Sequence, residues 1–168
     1  IDQAYKLLKS GADKIVINSI LNDNKKLVEK LSKNYGKQCI VASVDFKNIE
    51  KEYCVYINSG SKKINLTLKE YIRYISKLPI GELFLNSIDN DGTGQGLVTN
   101  ALNQLPDFLD IPLIFTGGVG NWHHIYEGLI DKRVDAVSTA NLFNFVNDGL
   151  SKARKEIHNS GIPIPLWE

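Results

Sequence analysis

The sequence predicts an α/β fold, and within that class a (β/α)8 barrel of which about strands 4 to 8 are present. Near-continuous apolar runs alternate with amphipathic helical segments, the pattern of parallel strands covered by helices. Each apolar run also ends at its C-terminal edge in small or polar residues. A doubly wound sheet gathers such residues near one switch point, whereas a barrel brings them all to one mouth. A complete barrel takes about 250 residues, and this chain has 168. The expectation is one domain over residues 1–168, a partial barrel lacking about three strands at its front.

Asp2–Ser10 carries Ala4, Leu7 and Leu8 on one helical face, and Gly11 follows as a stop. Lys14–Asn18, KIVIN, is short, β-branched and apolar, which predicts a strand. Asn24–Tyr35 then places Leu27, Val28 and Leu31 at helical spacing before Gly36. Cys39–Asp45, CIVASVD, is the second strand and Leu66–Leu78 its helix. Between them EYCVYINSGSKK predicts a hairpin turned at Asn58–Gly60. The third unit pairs Glu82–Ile88 with a helix over Ala101–Leu109, and the fourth pairs Ile111–Gly118 with Trp122–Ile130. Val134–Ala140 is a fifth strand, and Asp148–Asn159 is the closing helix.

Twenty basic residues against nineteen acidic ones give a formal charge of +1, so no global field draws nucleic acid or an anionic membrane. Any anion site must be local. Cys39 and Cys54 have no second cysteine pair and no histidine spacing that would complete a zinc site, so neither a metal nor a cofactor is expected. No apolar run reaches membrane-spanning length and the first residues lack the pattern of a signal peptide, so the expected location is the cytoplasm.

The runs GADKIVINS, VASVDFK, GELFLNSIDNDGTGQG, IPLIFTGGVG and DAVSTANLFNF resemble, in order and spacing, the cyclase subunit of imidazole glycerol phosphate synthase, and SIDNDGT followed by TGGVG makes the resemblance specific. The resemblance covers nearly the whole chain. It implies a (β/α)8 barrel of the TIM type that takes ammonia from a partner glutaminase and closes an imidazole ring on a phosphorylated ribulosyl substrate. The products would be imidazole glycerol phosphate and an aminoimidazole carboxamide ribotide, in histidine biosynthesis.

Asp45 closes an otherwise apolar run, where a carboxylate is costly unless it faces a polar mouth. The resemblance implies that it is a general acid/base for ring closure. Lys47 either helps bind an anionic substrate or is a solvated loop lysine. Gly117 and Gly118 suit the close approach and unusual dihedrals of an anion-binding backbone. The family's phosphate site implies Asp91, Gly92, Gly118, Ala140 and Asn141 around the bound group, with Thr93 on the same rim. Asn18 and Ser19 are expected at a second phosphate on the opposite side, or else form a plain strand-to-helix turn. Lys14 and Glu82, opening two strands at the other end, match positions that ring the family's ammonia entrance. His123, His124 and His158 are assigned no role.

Two departures bear on function. The family's second catalytic aspartate ends strand 1, which is absent here, so the 168 residues alone are expected to be inactive. Family members in the histidine pathway usually carry a tyrosine and an aspartate where this chain has Leu97 and Val98, and a serine where it has Asn141. These differences keep open a paralogue that delivers ammonia for acetamidino-sugar formation in surface-polysaccharide synthesis. A non-catalytic half-barrel docking a glutaminase is the reading from a different class, and the related isomerase of the histidine pathway shares the half-barrel pattern.

Overall fold

A computed structural model describes residues 1–106, 109–140 and 149–166. Five strands run parallel in the order β1 (Ile15–Ile17), β2 (Ile40–Ile49), β5 (Glu82–Ser87), β6 (Leu113–Thr116) and β7 (Ala136–Val137). The antiparallel pair β3 (Glu52–Ile57) and β4 (Lys62–Thr67) continues the sheet from the upper half of β2. Helices α1 (Asp2–Lys9), α2 (Ser19–Asp23), α3 (Lys25–Tyr35), α4 (Leu68–Ile75), α5 (Trp122–Leu129) and α6 (Gly149–Asn159) complete the described elements. The α/β class and the parallel strand order agree with a partial (β/α)8 barrel. Among the described residues β1 pairs only with β2 and β7 only with β6, so the arc is open at both ends. No described helix is long and apolar enough to cross a membrane.

The two faces of the sheet follow from side-chain alternation along each strand. On β2 the even positions Ile40, Ala42, Val44 and Phe46 are fully buried beneath the helices, with Leu83 and Leu85 of β5 and Leu113 and Phe115 of β6 beside them. The odd positions Ser43, Asp45 and Lys47 are only half-buried and face the concave side. Val16 of β1, in register with Val41, is 64% exposed.

Several boundaries differ from the sequence-based expectation, each for a local reason. β2 runs to Ile49 rather than stopping at Asp45, because a two-residue turn at Glu50 and Lys51, both with positive φ, folds β3 back along it. Such turns are usually signalled by Asn-Gly or Asp-Gly, and neither is present. The hairpin turn at Asn58–Gly60 is where the sequence places it, with φ of 53°, 55° and 78°. The helix expected over Ala101–Leu109 is instead a 3₁₀ segment at Thr99–Gln104. Pro106 disfavours the helical region for the residue before it, and Leu105 is extended with ψ 154°. The short helix α2, absent from the sequence reading, has too few residues to show a period. The helix expected over Leu66–Leu78 begins at Leu68, because Leu66 and Thr67 belong to β4. The fifth strand is confined to Ala136–Val137.

Thr67 and Glu70 form a reciprocal capping box at the start of α4: the Thr67 hydroxyl accepts from the Glu70 N–H at 3.3 Å, and Glu70 Oε2 accepts from the Thr67 N–H at 2.8 Å. Leu68, Tyr71, Ile72 and Ile75 of this helix are buried. Thr67→Ala is expected to lower stability by about 1 kcal/mol, read from the midpoint of urea unfolding followed by circular dichroism.

Candidate functional site

Asp45 sits on the concave face of β2, in register with Asn86 of β5 on one side and Tyr56 of β3 on the other. It does not end its strand. Asn86 Nδ2 donates to Asp45 Oδ1 at 3.3 Å and Asn18 Nδ2 donates to Asp45 Oδ2 at 3.3 Å, so each carboxylate oxygen holds one amide. Burial pushes the Asp45 carboxyl above the ordinary carboxylate range; the Asn86 hydrogen bond opposes this, and the negative charge of Asp91 adds to it. A carboxyl placed this way suits a group that both takes up and releases protons.

Asn18 and Ser19 stand at the end of β1. Asn18 Nδ2 also donates to the Ser43 carbonyl at 3.1 Å, while its Oδ1 accepts from the Ser19 hydroxyl at 3.3 Å. Ser19 Oγ in turn accepts from the Asn58 N–H at 3.0 Å, fastening the tip of the β3–β4 hairpin to the mouth. Lys47 lies 3.6 Å from Asp89 and 5.1 Å from the centre of the Tyr56 ring.

The loops after β5, β6 and β7 line a small, partly open cleft of about 10 Å³ whose walls include Asp91, Gly92, Gly117, Gly118 and Ala140. These are residues that the sequence reading assigned to phosphate. Asn141 lies outside the described residues. Thr93 is near but differently engaged: its hydroxyl donates to the Asn90 carbonyl at 2.7 Å and accepts from the Gln95 N–H at 3.2 Å, closing the turn. Gly117 and Gly118 have φ of 102° and 100°. A Cβ would come within 2.5 Å of the Ser87 carbonyl oxygen at the first and 2.1 Å of the Gly96 carbonyl oxygen at the second. Only glycine fits either position.

At the opposite end of the sheet Lys14 and Glu82 form an ion pair. Glu82 is in register with Val41, four residues below Asp45 on β2 and thus about 13 Å from it along the strand. The pair and the carboxylate therefore mark the two ends of the concave face.

Sequence reasoning missed three contributors. Asn86 is hidden in an apolar strand, and only the parallel register brings it beside Asp45. Asn90 Nδ2 donates to the Gly96 carbonyl at 3.0 Å and braces the loop after β5. His124, given no role, has Nδ1 3.2 Å from the Gly120 N–H, which donates to it. The other two histidines remain outside the site: His123 stacks on Trp122 at 3.7 Å, and His158 Nδ1 lies 3.2 Å from the Ile164 carbonyl. Leu97 is buried and Val98 partly so, both packed in the core; their apolar character reports packing. Among the described residues no group of three His, Cys, Asp or Glu side chains could hold a metal, and Cys39 and Cys54 are unbridged.

Parallel strands, a half-buried carboxylate level with the C-terminal ends of β5 and β6 and a glycine-walled cleft after the last three strands define a partial barrel with a polar mouth. The chain belongs to the histidine biosynthesis protein family, whose model matches residues 1–147. It is 37% identical over 167 residues, 99% of its length, to a Parasynechococcus marenigrum protein provisionally named imidazole glycerol phosphate synthase subunit hisF2, covering 62% of that protein. It is 31% identical to the HisF subunit of Chlorobium phaeovibrioides over 99% of its length, and 32% identical to that of Flavobacterium johnsoniae over 95%. It spans 66% and 64% of those two subunits, somewhat under two thirds of each.

Two outcomes follow from this geometry. Because the folded Asp45 binds its proton more tightly than an unfolded aspartate, its contribution to stability is greatest below the unfolded pKa and declines as pH rises through the raised folded one. The stability of wild type relative to Asp45→Asn should therefore fall across that window and level off above it, measured by urea unfolding at a series of pH values. Gly118→Ala should push the Gly94–Gly96 loop off Gly118, weakening binding of inorganic phosphate about tenfold or more while the circular dichroism spectrum stays α/β.

Proposed function

We propose that this chain is the C-terminal part of the cyclase subunit of imidazole glycerol phosphate synthase. In this reading it binds a phosphorylated ribulosyl aminoimidazole substrate at the barrel mouth. Ammonia supplied by a glutaminase partner adds to the ribulosyl carbonyl, whose oxygen leaves as water; the imidazole ring then closes, and imidazole glycerol phosphate and the aminoimidazole carboxamide ribotide leave. The observation that carries it is Asp45, held half-buried with its proton affinity raised at the mouth where the glycine-walled pocket also opens.

Each step draws on a group already placed. The pocket of Asp91, Gly92, Gly117, Gly118 and Ala140 takes one phosphate, with main-chain N–H groups as donors. Asp91 brings a negative charge beside that phosphate, so the main-chain dipoles would have to outweigh it. The second phosphate lies toward Asn18, Ser19 and Lys47. Asp45 accepts a proton from the attacking nitrogen and returns one to the departing group during ring closure. Lys14 and Glu82, paired at the other end of the concave face, stand where ammonia would enter from the glutaminase. The reading calls on no cofactor.

The full barrel would need a second acid/base group from strands outside these residues. The sugar-amidination paralogue keeps the ammonia and the phosphate sites and changes the substrate.

Turnover of the ribulosyl substrate with ammonium supplied directly, by the complete gene product, tests the reading. Asp45→Asn should lower kcat by about 10²–10⁴ with phosphate binding retained. A folded, phosphate-binding protein without turnover would move the assignment to the paralogue or the docking scaffold.

A further inference from the structure

We propose that the side-chain amide of Asn86 turns over as Asp45 gains and loses a proton, offering Nδ2 to the carboxylate and Oδ1 to the carboxylic acid. The inference rests on the reading of Asp45 as a proton-transfer group, and it makes Asn86 a positioning residue for that transfer.

The two amides on Asp45 are held very differently. Asn18 is locked: its Nδ2 donates to the Ser43 carbonyl as well as to Asp45, and its Oδ1 accepts from the Ser19 hydroxyl. Turning it over would break all three bonds. The Asn86 side chain makes one hydrogen bond, from Nδ2 to Asp45 Oδ1 at 3.3 Å, and its own Oδ1 is enclosed with no partner. A buried polar atom without a partner is uncommon in a folded protein and calls for a cause.

The neighbour on the other side supplies one. Asn86 is in register with Thr116 of β6, whose hydroxyl proton is committed to the Ser138 carbonyl at 3.1 Å. The Thr116 oxygen can therefore accept but has no proton left to give to Asn86 Oδ1. With Asp45 ionised, Asn86 Nδ2 is satisfied by Asp45 while its Oδ1 has no partner among the described residues. Once Asp45 is protonated, its O–H becomes a donor. A half-turn of the amide then lets Oδ1 accept that proton's hydrogen bond and brings Nδ2 to the Thr116 side, where a lone pair waits. Both ends of the amide are matched in the acid form and only one in the carboxylate form.

Other charges near Asp45 are accounted for. Asp91, from the loop after β5, acts on it at a distance; Lys47, two residues along β2, is engaged with Asp89. From β1 the facing group is the neutral Asn18, and from β3 the register partner is Tyr56. Among the described residues the hydrogen bonds to Asp45 come from Asn18, which is locked, and from Asn86, which is not.

The test is NMR of the ¹³C,¹⁵N-labelled protein without substrate. The Asp45 carboxyl carbon reports the titration midpoint, and nuclear Overhauser contacts from the Asn86 side-chain N–H protons report which way the amide faces. Contacts should move from the Asp45 side to the Thr116 methyl as pH falls through that midpoint. Thr116→Val, which keeps the methyl but removes the acceptor, should lower the midpoint by about 0.5 pH unit. Contacts that stay on one side throughout overturn the proposal, as does an unmoved midpoint in Thr116→Val. Should that variant not fold, the wild-type contacts decide alone. Because no turnover is needed, a fixed amide in an active cyclase refutes the amide, and a turning amide in a complete gene product without turnover refutes the cyclase.

Discussion

Strand β2 constrains everything around it. Its outward residues Ile40, Ala42, Val44 and Phe46 are wholly buried under the helices, which fixes its face and register. A slip of one residue would carry Asp45 into the core and Phe46 into the mouth. The apolar side of the strand thus aims the polar side, and burial of hydrocarbon determines where a carboxylate stands. Both flanking strands inherit this register: β1 through Ile15–Ile17 and β5 through six paired residues from Glu82 to Ser87. Asn18 and Asn86 reach Asp45 for that reason alone.

The loops at the mouth are held by close approach of main chain to main chain. Gly96 N–H donates to the Gly118 carbonyl at 2.7 Å, and a Cβ on Gly120 would come within 2.5 Å of the Gly94 carbonyl oxygen. Asn90 and His124 brace the same contact from either side. The pocket after β6 and β7 is consequently shaped by interlocked backbone, and the lack of side chains is what gives it room.

Five strands, five of the six expected helices, the hairpin and the Asp45 position were legible because each rests on local periodicity or turn chemistry. Gly92 and Gly118, which the resemblance put around a phosphate, line one cleft with Gly117 in the structure. Asn86 was not legible, since its partner is forty-one residues away and only sheet register joins them. The length of β2 was also hidden, because Glu50 and Lys51 adopt a turn that their residue types do not announce. At Ala101–Leu109 an apolar helical period was present, and Pro106 overrode it. Leu97 and Val98, read as departures from the family pattern, pack against the core, which spacing alone does not show.

Lys47 is held between Asp89 and the face of Tyr56 with about a third of its side chain exposed. Ion pairs this open are worth about 0–1 kcal/mol, and a contact with an aromatic face adds a comparable amount. Asp89 therefore parks the lysine without owning it. A monoanion arriving at the mouth would merely swap one carboxylate-like neighbour for another, whereas a doubly charged phosphate offers the lysine a stronger partner than the one it leaves. The lysine's position is thus chosen before any ligand comes, by contacts weak enough to be exchanged.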